Sequence, residues 1–382
     1  MQLRLPIFRS IPGLTFLAKI VCAFSLSLAL IPSVCLFAQS VGVNCANNKT
    51  DAEKLNSAIS GSRIGDQIQI HGVCLIDSTI VLRGNRTYVG DSRTGTVIRQ
   101  APGANLLALL ASDSWDADTA YTGEPIRIAH LTLDGNSSAN TGTSVLVIRS
   151  WLSVIEDIVI QNAPSDGLQV TNLSKNGIAL NTSQVNGHIS NCLITNSGGN
   201  GIRVVDTGNS ITDWNLLDSW VANSGKSAIY MDNAAGWKIH GNHLYGVGEH
   251  AIYANACFAT AIDENYIEDF GDSGNGHIWY GIACTVQGGA ASIISENKVF
   301  MLNGEPSGST FVYIGVPRVN YGVGQLNVVN NSIRGAEGKG DIGLDYQLNG
   351  GTGLEMLSSN NLVEAVHTER SVGAGVKLAT AF

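Results

Sequence analysis

Positively charged residues are scarce in this sequence. Only 22 of its 382 residues are Lys or Arg, against 31 Asp and Glu, and charged residues of all kinds make up 14%. Three of the basic residues lie within the first 38 positions, so the rest of the chain has 19 basic against 31 acidic residues, a net charge of -12. This balance argues against a nucleic-acid partner, because such binding depends on basic side chains that contact phosphates.

The signatures of several enzyme classes are also missing. The sequence has no Gly-rich phosphate loop, no Ser-His-Asp order, and no CxxC or His-rich spacing that is typical of a metal site. We therefore predict no metal ligands. Prolines are few, at 8, whereas glycines number 44, which indicates an ordered, turn-rich globular protein.

Long apolar segments are limited to the N-terminus. Arg4, Arg9 and Lys19 precede the apolar run of residues 20–30, a pattern that predicts a secretory signal over residues 1–38, cut near Ala38. The run is short for a membrane span, which needs about 20 residues. No second such segment follows, so we expect a secreted, periplasmic or extracellular protein without a span in the mature chain. An uncleaved anchor is the alternative.

Five cysteines remain after this segment. In an oxidising compartment the first pairings to expect are Cys45 with Cys74 and Cys257 with Cys284, although sequence does not fix connectivity. Cys192 is then left over, and we expect it to be a buried free thiol.

A short pattern recurs along the chain. A polar residue followed by an apolar pair, as in GNHLY and ENKVF, is found nine times at intervals of 23 to 34 residues. Periods of 20 to 50 residues are typical of solenoids that repeat one unit. The polar residues are His130, Asp157, Asn191, Asp218, Asn242, Asn265, Asn297, Asn331 and Asn360.

Two more short strands accompany each polar residue. A small residue and an apolar strand follow it by 9 to 16 residues, as in SAIYM and HAIYA, and a third strand precedes it, as in WKIHG. Three short strands per coil, joined by unequal turns, predict an all-β fold, a right-handed parallel β-helix of about 9 to 11 turns. Like residues then stack about 4.8 Å apart, and the asparagines are expected to form a hydrogen-bonded ladder.

The open end of a solenoid needs a cap. In NNKTDAEKLNSAIS, Thr50 and Glu53 have the spacing of a capping box, which predicts a short N-terminal capping helix. We expect residues 39–125 to hold this helix and the first coils, and residues 126–382 to continue the β-helix as one structural domain. The apolar stripe of the helix is Ala52, Leu55, Ala58 and Ile59.

At this level of detail the chain resembles the pectate-lyase-like β-helix superfamily. The resemblance lies in the opening segment, from TDAEKLNSAIS to RTGTVIRQ, and in the coils from Ile126 onward, and it covers nearly all of the mature chain. It implies the β-helix fold and a polysaccharide partner. It does not imply one reaction, because this architecture carries lyases, hydrolases, epimerases, tailspikes and non-catalytic surface proteins.

Two branches of that superfamily can be compared by motif. Polygalacturonase-type hydrolases carry Asn-x-Asp-Gly and Gly-His-Gly, but this chain has SDG at 165–167 and GHI at 187–189 and 276–278. Calcium-type pectate lyases carry Trp-x-Asp-His, where this chain has WKIH at 237–240. Neither branch is matched.

Candidate site residues follow from strand alternation, which places the third and fifth positions of the strands after each small residue on the outer face. Aromatic faces that lie on pyranose rings, with polar groups fixing hydroxyls, would make this face a sugar-binding groove. The alternative is a purely structural role, in which the tyrosines only pack under a loop. The predicted substrate-binding residues are Tyr230, Tyr253, Asn255 and Tyr313. The third-position column is Gln169, Arg203, Tyr230, Tyr253, Ala283, Tyr313 and Asp345, and the fifth-position column is Thr171, Val205, Asp232, Asn255 and Thr285.

Cleavage by β-elimination needs a base for the proton α to a uronate carboxyl, and a cation for the enolate. The candidate bases are His250, Lys226 and Tyr230, and the candidate cation is Arg203.

Cleavage by hydrolysis needs two carboxyls instead, and Asp206 and Asp232 lie on adjacent predicted coils. The negative charge of the chain favours a neutral or weakly charged glycan, unless Ca²⁺ bridges carboxylates; Ca²⁺ is therefore the one cofactor hypothesis that stays open. The competing hypothesis is a non-catalytic β-helix that binds glycan or acts at a cell surface.

Overall fold

The structure, a computed structural model, describes residues 38–379. The predicted signal segment lies outside the described residues except for Ala38, and it stays a prediction. The rest of the chain is the expected right-handed parallel β-helix, with three parallel sheets that run along its axis. Eleven strands in the third sheet correspond to eleven coils, within the predicted range.

The first two sheets share the long strand Gln67–Ile76, whose two halves pair into one sheet each. The other strands of the first sheet are Ser40–Asn44, Arg86–Gly90, Ile126–Ala129, Val154–Glu156, His188–Ser190, Asn215–Leu217, Lys238–His240, Ala261–Asp263, Ser292–Ser295, Val323–Val329, Gly353–Ser359 and Val376–Ala379. Those of the second sheet are Thr96–Gln100, Thr132–Asp134, Val159–Gln161, Leu193–Thr195, Trp220–Ala222, His243–Val247, Tyr266–Phe270, Lys298–Phe300, Ser332–Arg334 and Leu362–Glu364.

The third sheet pairs each strand with its counterpart one coil later. Its strands are Ile80–Leu82, Ala108–Ser112, Ser144–Ile148, Leu168–Thr171, Ile202–Val205, Ile229–Met231, Ile252–Cys257, Ile278–Val286, Thr310–Val316, Ile342–Tyr346 and Thr368–Val372. A separate pair of short strands consists of Gln184–Val185 and Ile211–Thr212.

Apolar side chains fill the interior because each strand turns alternate residues inward. In the first sheet Ile189, Leu216, Ile239, Ile262 and Ile294 stack in register on successive coils, and all are fully buried. One continuous core therefore runs along the whole helix axis.

A two-residue corner joins the first sheet to the second in each coil from Ala129 onward. The first corner residue has a left-handed backbone, as at Asp218 (φ 47°) and Glu264 (φ 57°), which favours Asn, Asp and Gly. The second corner residue points inward and is buried, as Asn265 and Asn297 are. Corner geometry thus explains why a polar residue recurs once per coil.

The predicted asparagine ladder occupies the second corner position. Each side-chain oxygen accepts hydrogen bonds from the backbone N–H and the amide of the preceding rung, at 2.9–3.0 Å. Each amide also donates to a backbone carbonyl, as Asn297 Nδ2 does to Ile262 O at 2.9 Å. The rungs are Asn242, Asn265, Asn297, Asn331 and Asn361.

Two of the predicted rungs were wrong. Asn191 (φ 52°) and Asn360 (φ 55°) sit at the first corner position, where the left-handed backbone and not a ladder explains asparagine. Their neighbours Cys192 and Asn361 hold the inward position, and Ser219 links Cys192 to the first rung through its own hydrogen bonds. The recurring sequence pattern did not distinguish the first corner position from the second, which is the position of the ladder.

The helix Thr50–Gly61 packs Leu55 and Ile59 into the same core as the first strands. The capping box was wrong, because the helix begins at Thr50 and the residue at its N-cap, Lys49, makes no side-chain cap hydrogen bond. Instead Asp51 is fully buried, and its carboxylate accepts hydrogen bonds from backbone N–H groups that include those of Ala46 and Asn48, both at 3.0 Å. These bonds fasten the first helical turn to the segment that precedes it.

Both predicted disulfides are present, Cys45–Cys74 and Cys257–Cys284, and each links neighbouring coils. Cys192 is free and buried, and burial raises the pKa of its thiol to about 12. Over residues 38–379, no helix has the length and apolar character that a membrane crossing requires.

Removing one rung tests the ladder. Asn297→Ala deprives the backbone N–H and the amide of Asn265 of their acceptor, and these groups stay buried. We expect the free energy of unfolding to fall by about 2–4 kcal/mol in urea titrations, because each stranded buried group costs about 1–3 kcal/mol. The exposed neighbour variant Lys298→Ala should stay within about 0.5 kcal/mol of the parent. Equal stabilities for the two variants would contradict a structural ladder.

Candidate functional site

The outer face of the third sheet carries one side chain per coil in strict register. Gln169 lies beside Arg203, Arg203 beside Tyr230, and Tyr230 beside Tyr253. The residues that flank them in the strands, such as Ile229 and Met231, are fully buried. The predicted alternation is therefore present through the coil of Tyr253.

Farther along, the predicted column was wrong at Tyr313. This side chain is fully buried, and Gly315 lies in register with Ala283 instead. Tyr313 and the next residue, Ile314, both belong to the core, so the in-out alternation slips inside the strand. An interruption of this kind resembles a β-bulge, and it turns a side chain to the opposite face.

The same interruption turns a different aromatic residue, the buried Tyr280, toward this face. Tyr280 packs outside the main core with Ala283 and Val312, and its ring lies 6.1 Å from that of Tyr253. Sequence alternation gave no signal for Tyr280, because the slip of the strand is not visible in the pattern. The observed row is Gln169, Arg203, Tyr230, Tyr253 and Tyr280, and we call it the tyrosine row.

Arg203 is held by two neighbours. Its Nη2 donates to both carboxylate oxygens of Asp232, at 2.9 and 3.1 Å, and its guanidinium lies 4.4 Å from the ring centre of Tyr230. Arg203 and Asp232 are both partly exposed. The structure thus brings together two of the predicted catalytic residues, but as an ion pair whose charges largely cancel.

Stacking covers the faces of the tyrosines. The rings of Tyr230 and Tyr253 are 5.1 Å apart and nearly parallel, and the ring of His250 lies 4.5 Å from that of Tyr253. Tyr230 therefore lies between Arg203 and Tyr253, and its two faces are occupied. Parallel-strand spacing places neighbouring rings against each other, so Tyr230 has no free face for a sugar, and the stacking of these rings on sugars stays a prediction. Ring edges and hydroxyl groups remain for a ligand.

His250 is held as a neutral imidazole. Burial lowers its pKa to about 4, and its Nδ1 accepts a hydrogen bond from the backbone N–H of Tyr280 at 3.1 Å. The proton of the neutral ring is therefore on Nε2. With its acceptor nitrogen occupied, His250 does not fit the predicted role of base, although its Nε2–H stays a hydrogen-bond donor.

Asp206 is held by hydrogen bonds to its own surroundings. Its oxygens accept hydrogen bonds within a turn, from the N–H groups of Ser210 and Ile211 and from the amide of Asn233, each at 2.8 Å. Burial opposes ionisation, but these donors outweigh it and lower the pKa of Asp206. Asp206 is tied to the turn and Asp232 to Arg203, which does not favour a hydrolase pair, and that role of the two carboxyls stays a prediction.

The remaining candidates flank the row. Lys226 is exposed in the loop before the strand of Tyr230, where its backbone N–H donates to Gly199 O at 3.0 Å. Asn255 is partly buried on the strand of Tyr253, two residues after it. Lys226 precedes Tyr230 by four residues, and both Lys226 and Asn255 keep part of their surface exposed.

Cavities and metal-type clusters lie elsewhere. A cavity of about 560 Å³ borders the early coils near Arg99 and Asp134, but these two residues pair with each other at 3.0 Å. On the first sheet His240, Asp263 and Glu264 place ligand-type atoms within 4.8 Å of one another, which suits a cation. None of the residues of this cavity or of this cluster belongs to the tyrosine row. We take the tyrosine row as the candidate functional site because its groups suit a long ligand.

The buried Tyr313 reveals a carboxyl pair that the sequence did not suggest. Its hydroxyl donates to Glu305 Oε1 at 2.7 Å, and Asp341, which is almost fully buried, neighbours Glu305. Burial, and then the neighbouring Asp341, raise the pKa of Glu305 to about 8. Glu305 is thus protonated at neutral pH and ties the loops before two strands of the third sheet.

This pair predicts a pH-dependent stability. The native pKa of about 8 exceeds the usual 4.5, so the native state binds more protons and stability falls as pH rises between these values. We expect Glu305→Gln to remove most of that fall in urea titrations from pH 5 to 9. The exposed Glu337→Gln should keep the parental slope, and an unchanged slope in Glu305→Gln would contradict the assignment.

Comparisons with known proteins support the fold. No protein-family model matches the chain, and no curated protein matches it by sequence. Among solved structures, the A-module of mannuronan C-5 epimerase AlgE4 from Azotobacter vinelandii is similar at 11% identity and a TM-score of 0.61, over 90% of this chain and 100% of that one.

Two further structures are similar at comparable identity. The tailspike of E. coli bacteriophage HK620 in complex with a pentasaccharide has a TM-score of 0.56 at 12% identity, over 88% of this chain and 64% of that one. The Agl-KA catalytic domain has a TM-score of 0.52 at 15% identity, over 89% and 68%. The chain has the parallel β-helix fold that these structures share.

Proposed function

We propose that this protein is a polysaccharide-active β-helix protein that binds its glycan along the tyrosine row. The observation that carries the proposal is the register of Arg203, Tyr230 and Tyr253 on three successive coils, with Asp232 alongside. Tyr280 extends the row out of register, with its ring 6.1 Å from that of Tyr253. A row that repeats every 4.8 Å or so offers equivalent hydrogen-bonding groups to a ligand that is itself a linear repeat.

The chemistry of the row favours a neutral or weakly charged glycan. Arg203 is already paired with Asp232, so the row has little net charge with which to attract a polyanion. Tyrosine hydroxyls, the Nε2–H of His250 and the Asn255 amide suit sugar hydroxyls. The similar structures, an epimerase module and a tailspike complexed with a pentasaccharide, support a saccharide partner by analogy of fold alone.

Binding is tested by removing hydroxyls while the ring stack is kept. We expect Tyr230→Phe and Tyr253→Phe each to weaken polysaccharide affinity about 3- to 10-fold, since one hydrogen bond contributes about 1 kcal/mol. Affinity electrophoresis over a panel of neutral and uronate polysaccharides measures this. Tyr121→Phe, an exposed tyrosine outside the row, is the matched control. Unchanged affinity in both row variants would refute this binding face.

A second candidate function is cleavage of a uronate-containing glycan by β-elimination. The adjacency of Arg203 and Tyr230 favours it, since Arg203 can stabilise an enolate and Tyr230, once its hydroxyl has lost a proton to solvent, can accept the proton α to the carboxyl. The electron pair forms a carbon–carbon double bond, the glycosidic C–O bond breaks, and the leaving oxygen takes a proton from Lys226 or solvent. Asp232, which lowers the effective charge of Arg203, opposes this step.

Two assays on one polysaccharide panel separate the reactions. Ultraviolet absorbance of an unsaturated product that is lost in Tyr230→Phe but kept in Tyr121→Phe supports elimination. New reducing ends without that absorbance indicate hydrolysis and contradict Tyr230 as the base. If neither signal appears while binding persists, the protein is the non-catalytic binder of the competing hypothesis.

A further inference from the structure

A second aromatic row lies on the outer face of the second sheet. Leu193, Trp220, His243 and Tyr266 are in register on four successive coils. The rings of Trp220 and His243 are 5.1 Å apart and nearly parallel, and His243 meets the ring of Tyr266 edge-on at 5.0 Å. Trp220 is 47% exposed, which is unusual for so large an apolar side chain.

Trp220 differs from the tyrosines of the other sheet because it begins its row. One indole face lies on His243, whereas the preceding coil places the smaller side chain of Leu193 opposite the other face. A cavity of about 390 Å³ borders both Trp220 and Leu193. Trp220 thus offers a half-exposed aromatic ring beside a cavity, whereas both faces of Tyr230 are covered.

Polar groups border the same cavity. Arg93 reaches in from the loop before the strand Thr96–Gln100, donates to the carbonyl oxygen of Asn191, and lies 2.5 Å from an oxygen of Asp157. Asp218, also in the lining, is a first corner residue with a left-handed backbone. The arginine is thus fixed in place before any ligand arrives, and its charge is offset by Asp157.

We propose that this cavity binds one neutral pyranose unit of a saccharide. The apolar face of the sugar ring lies on the exposed part of the Trp220 indole, while Arg93 donates to sugar hydroxyls and Asp218 accepts from them. The acid groups around Arg93 disfavour an anionic ligand. The site lies on a different sheet from the tyrosine row, and its binding does not depend on the function proposed for that row.

Tryptophan fluorescence can measure saccharide binding at this cavity. The intrinsic fluorescence of the full chain is titrated with neutral gluco-, manno- and galacto-oligosaccharides, and with an oligogalacturonate of equal length as the charged probe. We expect a neutral oligosaccharide to change the fluorescence, and Trp220→Ala and Trp220→Leu to weaken its binding at least about 10-fold, or 1.4 kcal/mol. Trp220→Leu keeps apolar surface without a flat ring, so a loss in both variants identifies the ring itself.

Trp151→Ala is the matched control, because Trp151 is 40% exposed but is not part of the cavity. The proposal is overturned if no neutral oligosaccharide binds, if Trp220→Leu binds as the parent does, or if Trp151→Ala loses binding equally. Equal affinity for the oligogalacturonate would overturn the neutral class of ligand. Tyr230→Phe should leave this signal unchanged, so the outcome is separate from that of the tyrosine row.

Discussion

Parallel pairing from one coil to the next is the constraint on which the rest of this protein depends. It sets neighbouring coils about 4.8 Å apart and places like positions above one another. Amides at that spacing form a continuous hydrogen-bonded ladder, as at Asn265 and Asn297. Aromatic rings at that spacing stack on each other, as Tyr230 and Tyr253 do. One distance therefore stabilises the core and also decides which surfaces of a ring remain for ligands.

Much of the fold could be predicted from the sequence, because a repeating structure reports each position several times. The three-strand coil, the inward Ile229 and Ile252, and both disulfides follow from periodicity and spacing. The errors are local. Asn191 and Asn360 occupy the neighbouring corner position, since asparagine suits both a left-handed backbone and a ladder, and the letters alone do not separate these two causes.

The candidate site could be predicted only where the repeat is regular. Arg203, Tyr230 and Tyr253 occupy their predicted positions on the outer face. At Tyr313 the alternation slips, so that Tyr313 is buried in the core and Tyr280 packs on the outer face instead. Chemical roles were less predictable still. The carboxylate of Asp206 is stabilised by hydrogen bonds from its own turn. The position of the proton on His250 depends on a backbone N–H from the next coil. Such states depend on hydrogen-bond partners that are distant in sequence.

The two-residue corner separates two kinds of sequence change. Between the first and second sheets the connection has the same length in each coil from Ala129 onward, since an added residue would displace a rung of the ladder. Connections into the third sheet have no such restriction, with four residues between Val247 and Ile252 but nine between Phe300 and Thr310. Evolution can therefore lengthen the loops that border the tyrosine row without altering the scaffold, and ligand preference can diverge while the fold is conserved.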